Sequence, residues 1–242
     1  MKHLRSAIQF LTLLPVGKVT DFQPRAMMAC FPLVGLILGF IIAVSDILFC
    51  KLWPVSVAAV LDGVLLIFLT GALHLDGLGD SADGLYGQWP REKALTIMKD
   101  SRIGSMALVV VVSTLAVKWA GLGTISHHRF LLLLIIPAYA RMTILFGTWL
   151  LPYGRPDGGT AQGFFAESLT LREFRYVPIL LVCSLFLGWQ GILLNVTFVI
   201  ILVITISYYH KKMGCITGDM LGAMVELTEA ILFLCVSMGG KL

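Results

Sequence analysis

Long apolar runs alternate with short polar segments along the chain, and these runs set its architecture. The first covers about residues 29–49 and ends at the turn Lys51-Leu52-Trp53-Pro54, which places an aromatic side chain at an interface. Further runs cover about 55–73, 106–122, 130–151 and 176–209, and the last covers about 222–238. The run 176–209 is too long for one crossing, and Gly188-Trp189-Gln190-Gly191 divides it. About 20 apolar residues cross a bilayer as a helix, so the pattern predicts about seven transmembrane helices. The runs are continuous, without the alternation of barrel strands. The expected fold is all-α: a polytopic integral membrane helix bundle forming a single domain, 1–242.

The polar segments have their own character. Residues 1–28 carry Lys2, Arg5, Lys18 and Arg25 around an apolar patch, Ile8 to Val16, that is too short to span. No small-residue cleavage site follows, so this segment reads as an interfacial helix rather than a signal peptide. Residues 85–104 are amphipathic, with Pro90 and Glu92 marking a helix start. A glycine-rich loop begins at Pro152, and residues 161–175 read as a further surface segment. Asp62 lies within the second run near its outer end, where it is expected to reach water.

Composition agrees with the pattern. The chain is 58% hydrophobic and 13% charged, with a mean hydropathy of +0.91, whereas soluble domains carry about 25% charged residues. The net charge of +4 has a membrane origin, not a nucleic-acid one. Of the 18 lysines and arginines, Lys118 and Arg141 lie inside runs and Lys51, Arg129 and Lys241 fall in loops on one side. All the others fall on the opposite side. The positive-inside bias therefore puts the N-terminus in the cytoplasm. The five cysteines form no C-x-x-C pair, so neither a zinc site nor a disulfide framework is indicated.

Candidate chemistry centres on His74-Leu75-Asp76-Gly77-Leu78-Gly79-Asp80-Ser81-Ala82-Asp83-Gly84. On a helix Asp76, Asp80 and Asp83 stand at i, i+4 and i+7 and share one face. Three like charges on one stripe call for a cation, and Mg²⁺ suits an oxygen-only site shared with substrate phosphates. The plainer alternative is a solvated loop with glycine turns. With 74–104 as a cytoplasmic loop, this stretch, Lys99, Arg102, Arg155 and Thr217-Gly218-Asp219 all open to the same side. Carboxylates and cations together suit a phosphate-containing substrate: metal at Asp76, Asp80 and Asp83, with one or more of Asp219, Glu226 and Glu229, which share a helix face, to complete its shell, and phosphate at Lys99, Arg102, Arg141, Arg155 and Thr217. Arg141, buried in an apolar run, needs an anionic partner or a water-filled cavity; its structural alternative is a pair with Glu226 or another buried acid. The general base stays open between His74 and an aspartate such as Asp83.

These motifs carry a resemblance. His74-Leu75-Asp76-Gly77-Leu78-x-Asp80-x-x-Asp83-Gly84 resembles the signature of the adenosylcobinamide-GDP ribazoletransferase (cobalamin-5′-phosphate synthase) family. Phe31-Pro32-Leu33-Val34-Gly35, Asp100-Ser101-Arg102-Ile103-Gly104, Arg155-Pro156 and Thr217-Gly218-Asp219-x-Leu221-Gly222-Ala223 with Glu226 follow in the family's order. Cys215 departs from it, where a glycine is commoner. The resemblance implies a Mg²⁺-dependent phosphotransferase of the prokaryotic inner membrane acting late in adenosylcobalamin biosynthesis. It would join α-ribazole or its 5′-phosphate to adenosylcobinamide-GDP and release GMP. The implied partners are these substrates and membrane lipid, with a homo-oligomer compatible and no nucleic acid. A CDP-alcohol phosphatidyltransferase making phospholipid also uses several aspartates, but Leu85-Tyr86-Gly87 stands where that family has an Ala-Arg pair. A transporter would be expected to show echoing halves, which this chain lacks.

Overall fold

The computed structural model describes residues 2–17, 23–155 and 158–238; Lys18 and Lys241 of the charge count, and Pro156, lie outside them. Eleven α-helices follow one another among the described residues: α1 Lys2–Leu11, α2 Pro24–Met28, α3 Phe31–Leu52, α4 Val55–Thr70, α5 Leu73–Tyr86, α6 Arg91–Ile97, α7 Ser105–Thr124, α8 Arg129–Leu150, α9 Tyr176–Ser184, α10 Trp189–Met213 and α11 Gly218–Val236. Single 3₁₀ turns occur at Gln162–Phe165 and Leu185–Leu187. The membrane helix bundle is as expected.

Length and composition alone do not reach the expected seven crossings. Helices α3, α7, α8 and α10 are long and apolar enough to cross alone, and α4 with α5 adds a fifth crossing only if that bent pair counts as one. Helix α9 and its 3₁₀ turn, of 9 and 3 residues, would rise about 18 Å, well short of the roughly 30 Å hydrocarbon layer. The chain still divides at Gly188, whose φ is +63°. Helix α11 is 19 residues long but contains Asp219, Glu226 and Glu229.

The segment 74–104 is not a loop. After Thr70 the chain passes through two left-handed residues, Gly71 (φ 59°) and Ala72 (φ 56°), and α5 leaves at 90° to α4. Helix α5 thus lies across one end of the bundle, outside the spanning direction. Cross-contacts fix which ends meet. Lys212 Nζ donates to the Gly87 carbonyl at 2.8 Å and Tyr209 packs its hydroxyl by Met220, so α10 ends where α5 ends and α11 begins. At the opposite end Gln190 Nε2 donates to the Val236 carbonyl at 3.0 Å, and His128 Nδ1 meets Gln190 at 2.9 Å.

Helices α3 and α8 touch backbone to backbone. A Cβ on Gly35 would overlap Pro137 and Ala138, and one on Gly39 would overlap Leu133 and Leu134. The segment 161–175 is less superficial than expected: Phe164 is 2% exposed and packs edge-on against Phe10 and Phe31. Asp62 is also not at water. It is 1% exposed and shares Arg129 with Asp46, at 3.3 Å and 2.6 Å. Local spacing could not show this, because the partner is 67 residues away.

Four buried charges tie the bundle together. Lys118 of α7 meets Glu226 at 2.5 Å and Glu229 at 2.9 Å, and Glu229 also pairs with Arg141 of α8. Lys118→Met strands two buried carboxylates against one cation. We expect a loss of about 3–5 kcal/mol, seen as a lower melting temperature in detergent, with the double variant Lys118→Met/Glu226→Gln recovering part of it.

Candidate active site

The 90° turn presents α5 with its acidic stripe outward. Asp76 is exposed and Asp80 and Asp83 half-buried, whereas His74, Gly77, Leu78, Ser81 and Leu85 are buried. Gly77 makes the close approach to α11 that brings in the fourth carboxylate, since an added Cβ there would lie 2.9 Å from the Asp219 Cα. Arg155, in the strand-like stretch where Tyr153 pairs with Ile216, donates from Nη2 to Asp219 Oδ2 and, at 3.5 Å, to the Met98 carbonyl. One end of the bundle therefore gathers α5, the α6–α7 connection, the loop after α8 and the start of α11.

The acidic residues feel one another. Burial, together with the charges of Asp76, Asp219 and Asp83, raises the Asp80 carboxyl to about 6, against the opposing pull of Arg155. Asp83 has a structural task as well. Helix α7 starts at Gly104, which has no side chain to cap it, and Asp83 supplies the cap from a neighbouring helix. Its Oδ2 accepts from Gly104 N at 2.7 Å and its Oδ1 from Ala107 N at 2.9 Å, satisfying orphan donors at the positive end of the helix.

The expected cations separate into two groups. Lys99 and Arg102 are exposed at the acidic end; Arg102 holds Asp100 at 2.6 Å and draws that carboxyl down to about 2. Arg141 lies elsewhere. It is 0% exposed, buried between α8 and α11; its Nη1 pairs with Glu229, which is the structural alternative to phosphate binding, while Nε and Nη2 have no hydrogen-bond partner among the described residues. Thr217 is likewise 0% exposed, and its hydroxyl accepts from Met220 N as the N-cap of α11 while lying 3.4 Å from Asp219 Oδ2. His74 is 3% exposed, beneath the acidic stripe and within the field of Arg141 and Lys118. Lys118 was visible only as a charge in an apolar run; its partners lie 108 and 111 residues away.

Among the described residues no group of three or more His, Cys, Asp or Glu side chains is arranged to hold a metal ion. The donor chemistry nevertheless suits one. Asp76, Asp80 and Asp219 are hard oxygen donors near enough to repel each other, and Mg²⁺ takes one or two carboxylates while keeping waters and substrate phosphates.

The family model described as cobalamin-5-phosphate synthase matches residues 3–237. This chain belongs to that family. Similar proteins named adenosylcobinamide-GDP ribazoletransferase include that of Clostridium acetobutylicum, 34% identical with 97% of this chain and 95% of the relative covered. That of Geotalea daltonii is 34% identical with 97% of both covered, and that of Acinetobacter baumannii is 36% identical with 93% of both covered. No solved structure matches. As a member of the cobalamin-5-phosphate synthase family, the chain is a transferase of the late part of cobalamin biosynthesis.

The raised Asp80 carboxyl has a signed consequence. The folded form binds this proton more tightly than the unfolded chain, so stability falls as pH rises from the ordinary carboxylate value of 3.8 to about 6, and the full cost is present above that. Without divalent cations, Asp80→Asn should melt higher than the wild type at pH 7.5. The gap should narrow below pH 6 and close only near pH 4. A pH series of thermal melts checks this.

Proposed function

We propose that the protein transfers adenosylcobinamide phosphate from adenosylcobinamide-GDP to α-ribazole or α-ribazole 5′-phosphate, releasing GMP. The observation that carries this reading is the meeting of Asp76, Asp80 and Asp83 with Asp219 and Arg155 at one end of the bundle. The names of the relatives point to adenosylcobinamide-GDP and a ribazole as substrates. Carboxylates alone would repel a diphosphate, and cations alone would not favour a bound metal. This end provides both.

In this reading Asp76, Asp80 and Asp219 hold Mg²⁺, and Asp83 borders them through the lone pairs its helix cap leaves over. When bound, the metal neutralises diphosphate charge and polarises the phosphorus under attack. Arg155 changes partner, from Asp219 to a phosphate oxygen, as substrate arrives; Lys99 and Arg102 meet the leaving GMP. His74 is enclosed below the site, so an α5 carboxylate takes the proton from the attacking ribose hydroxyl. Arg141 and Thr217 act by holding α8 and α11 in place. The acidic end, rich in lysine and arginine, faces the cytoplasm from the inner membrane.

The test is GMP release by the purified protein in lipid, supplied with adenosylcobinamide-GDP, α-ribazole 5′-phosphate and Mg²⁺. EDTA should stop it and Mg²⁺ restore it. Asp80→Asn should cost more than the roughly 10–100-fold typical of outer-shell partners, with the helix content unchanged by circular dichroism. Turnover of a CDP-activated lipid without GMP release would instead favour the phospholipid reading.

A further inference from the structure

The underside of α5 is built differently from its acidic face. Leu78, Ser81, Ala82 and Leu85 point away from the aspartates and roof a cleft of about 340 Å³ between α5, α7, α10 and α11. Met106 and Val110 of α7, Ile204 of α10 and Leu227 of α11 form its walls. Ile204 and Tyr208 at the rim are 61% and 46% exposed, and they belong to a face of α10, with Ile200 and Val203, that is apolar and uncovered. The cleft is thus cut into the side of the bundle that meets lipid tails.

Two polar features mark what fits there. The Ser81 hydroxyl is buried and has no hydrogen-bond partner, so the apolar roof holds one polar group in need of a partner. Around the rim, Lys211 and Lys212 follow Tyr208 by three and four positions and share its side of α10. Lys212 is committed to the Gly87 carbonyl; Lys211 is exposed.

We propose that this cleft holds one acyl chain of an anionic phospholipid. The chain lies beneath α5 and fills the space under Leu78 and Leu85. Its ester carbonyl accepts from the Ser81 hydroxyl at the level where α5 lies across the bundle, and its phosphate meets Lys211. The lipid supports the acidic helix from below, which gives a reaction between water-soluble substrates a physical reason to take place in a membrane. Binding requires no reaction at the acidic face, so it stands apart from the functional reading above.

Native mass spectrometry of the full chain, delipidated and then supplied with phosphatidylglycerol or phosphatidylcholine vesicles, tests this. The wild type should retain one phosphatidylglycerol per chain and at least five-fold less phosphatidylcholine. Ala82→Trp, which fills the cleft, should lose that lipid. Lys211→Gln, at an exposed position, should lose the headgroup preference while keeping some lipid. Asp80→Asn should retain phosphatidylglycerol like the wild type, which separates lipid binding from turnover. Equal retention of the two lipids by the wild type, or a folded Ala82→Trp that keeps phosphatidylglycerol, overturns the proposal.

Discussion

The interaction on which the rest depends is the buried set of Lys118, Arg141, Glu226 and Glu229. Each such charge costs several kcal/mol to remove from water, and only close pairing offsets it. Here the pairing runs through Glu229, which serves both cations. Two positive and two negative groups leave the interior neutral. The geometry also reaches the site, because α7, α8 and α11 are the helices whose acidic-end termini carry the Gly104 cap, the Arg155 loop and Asp219. Fixing these three helices against one another deep in the bundle fixes the spacing of the groups at its end.

Helix α5 uses that frame. Laid across the helix ends, it has one face toward water and one toward the apolar interior, so a single amphipathic element serves as floor of the site and roof of the lipid-side cleft. Gly77 and Gly222 let it settle on α11, where a Cβ at 222 would stand 3.2 Å from the His74 Cα. Asp83 then joins α5 to α7 through backbone donors, coupling the position of the acidic stripe to the start of a spanning helix.

Much of this was legible in the chain. The 3.6-residue period placed Asp76, Asp80 and Asp83 on one face, Pro90 marked the start of α6, and Gly188 marked the break between α9 and α10, because all three are local signals. Arg141 was legible as a charge needing a partner, yet nothing in its surroundings in sequence names Glu229, 88 residues away. Asp62 misled for the same reason. Asp83 gave no sign that it caps another helix, since the vacancy it fills belongs to Gly104. The length of α9 was hidden by an apolar run that continues through a turn.

The seam between α3 and α8 bears on how a bulky molecule enters. Helices locked at glycine contact can neither separate nor rotate about one another without breaking main-chain packing, so that flank of the bundle behaves as a fixed wall. On the other side α6 is seated through buried Ala94 and Met98, and the connection after α8 through the hydrogen bonds that Pro152 and Gly154 share with Ile216, so that flank too is fixed by packing and not by charge alone.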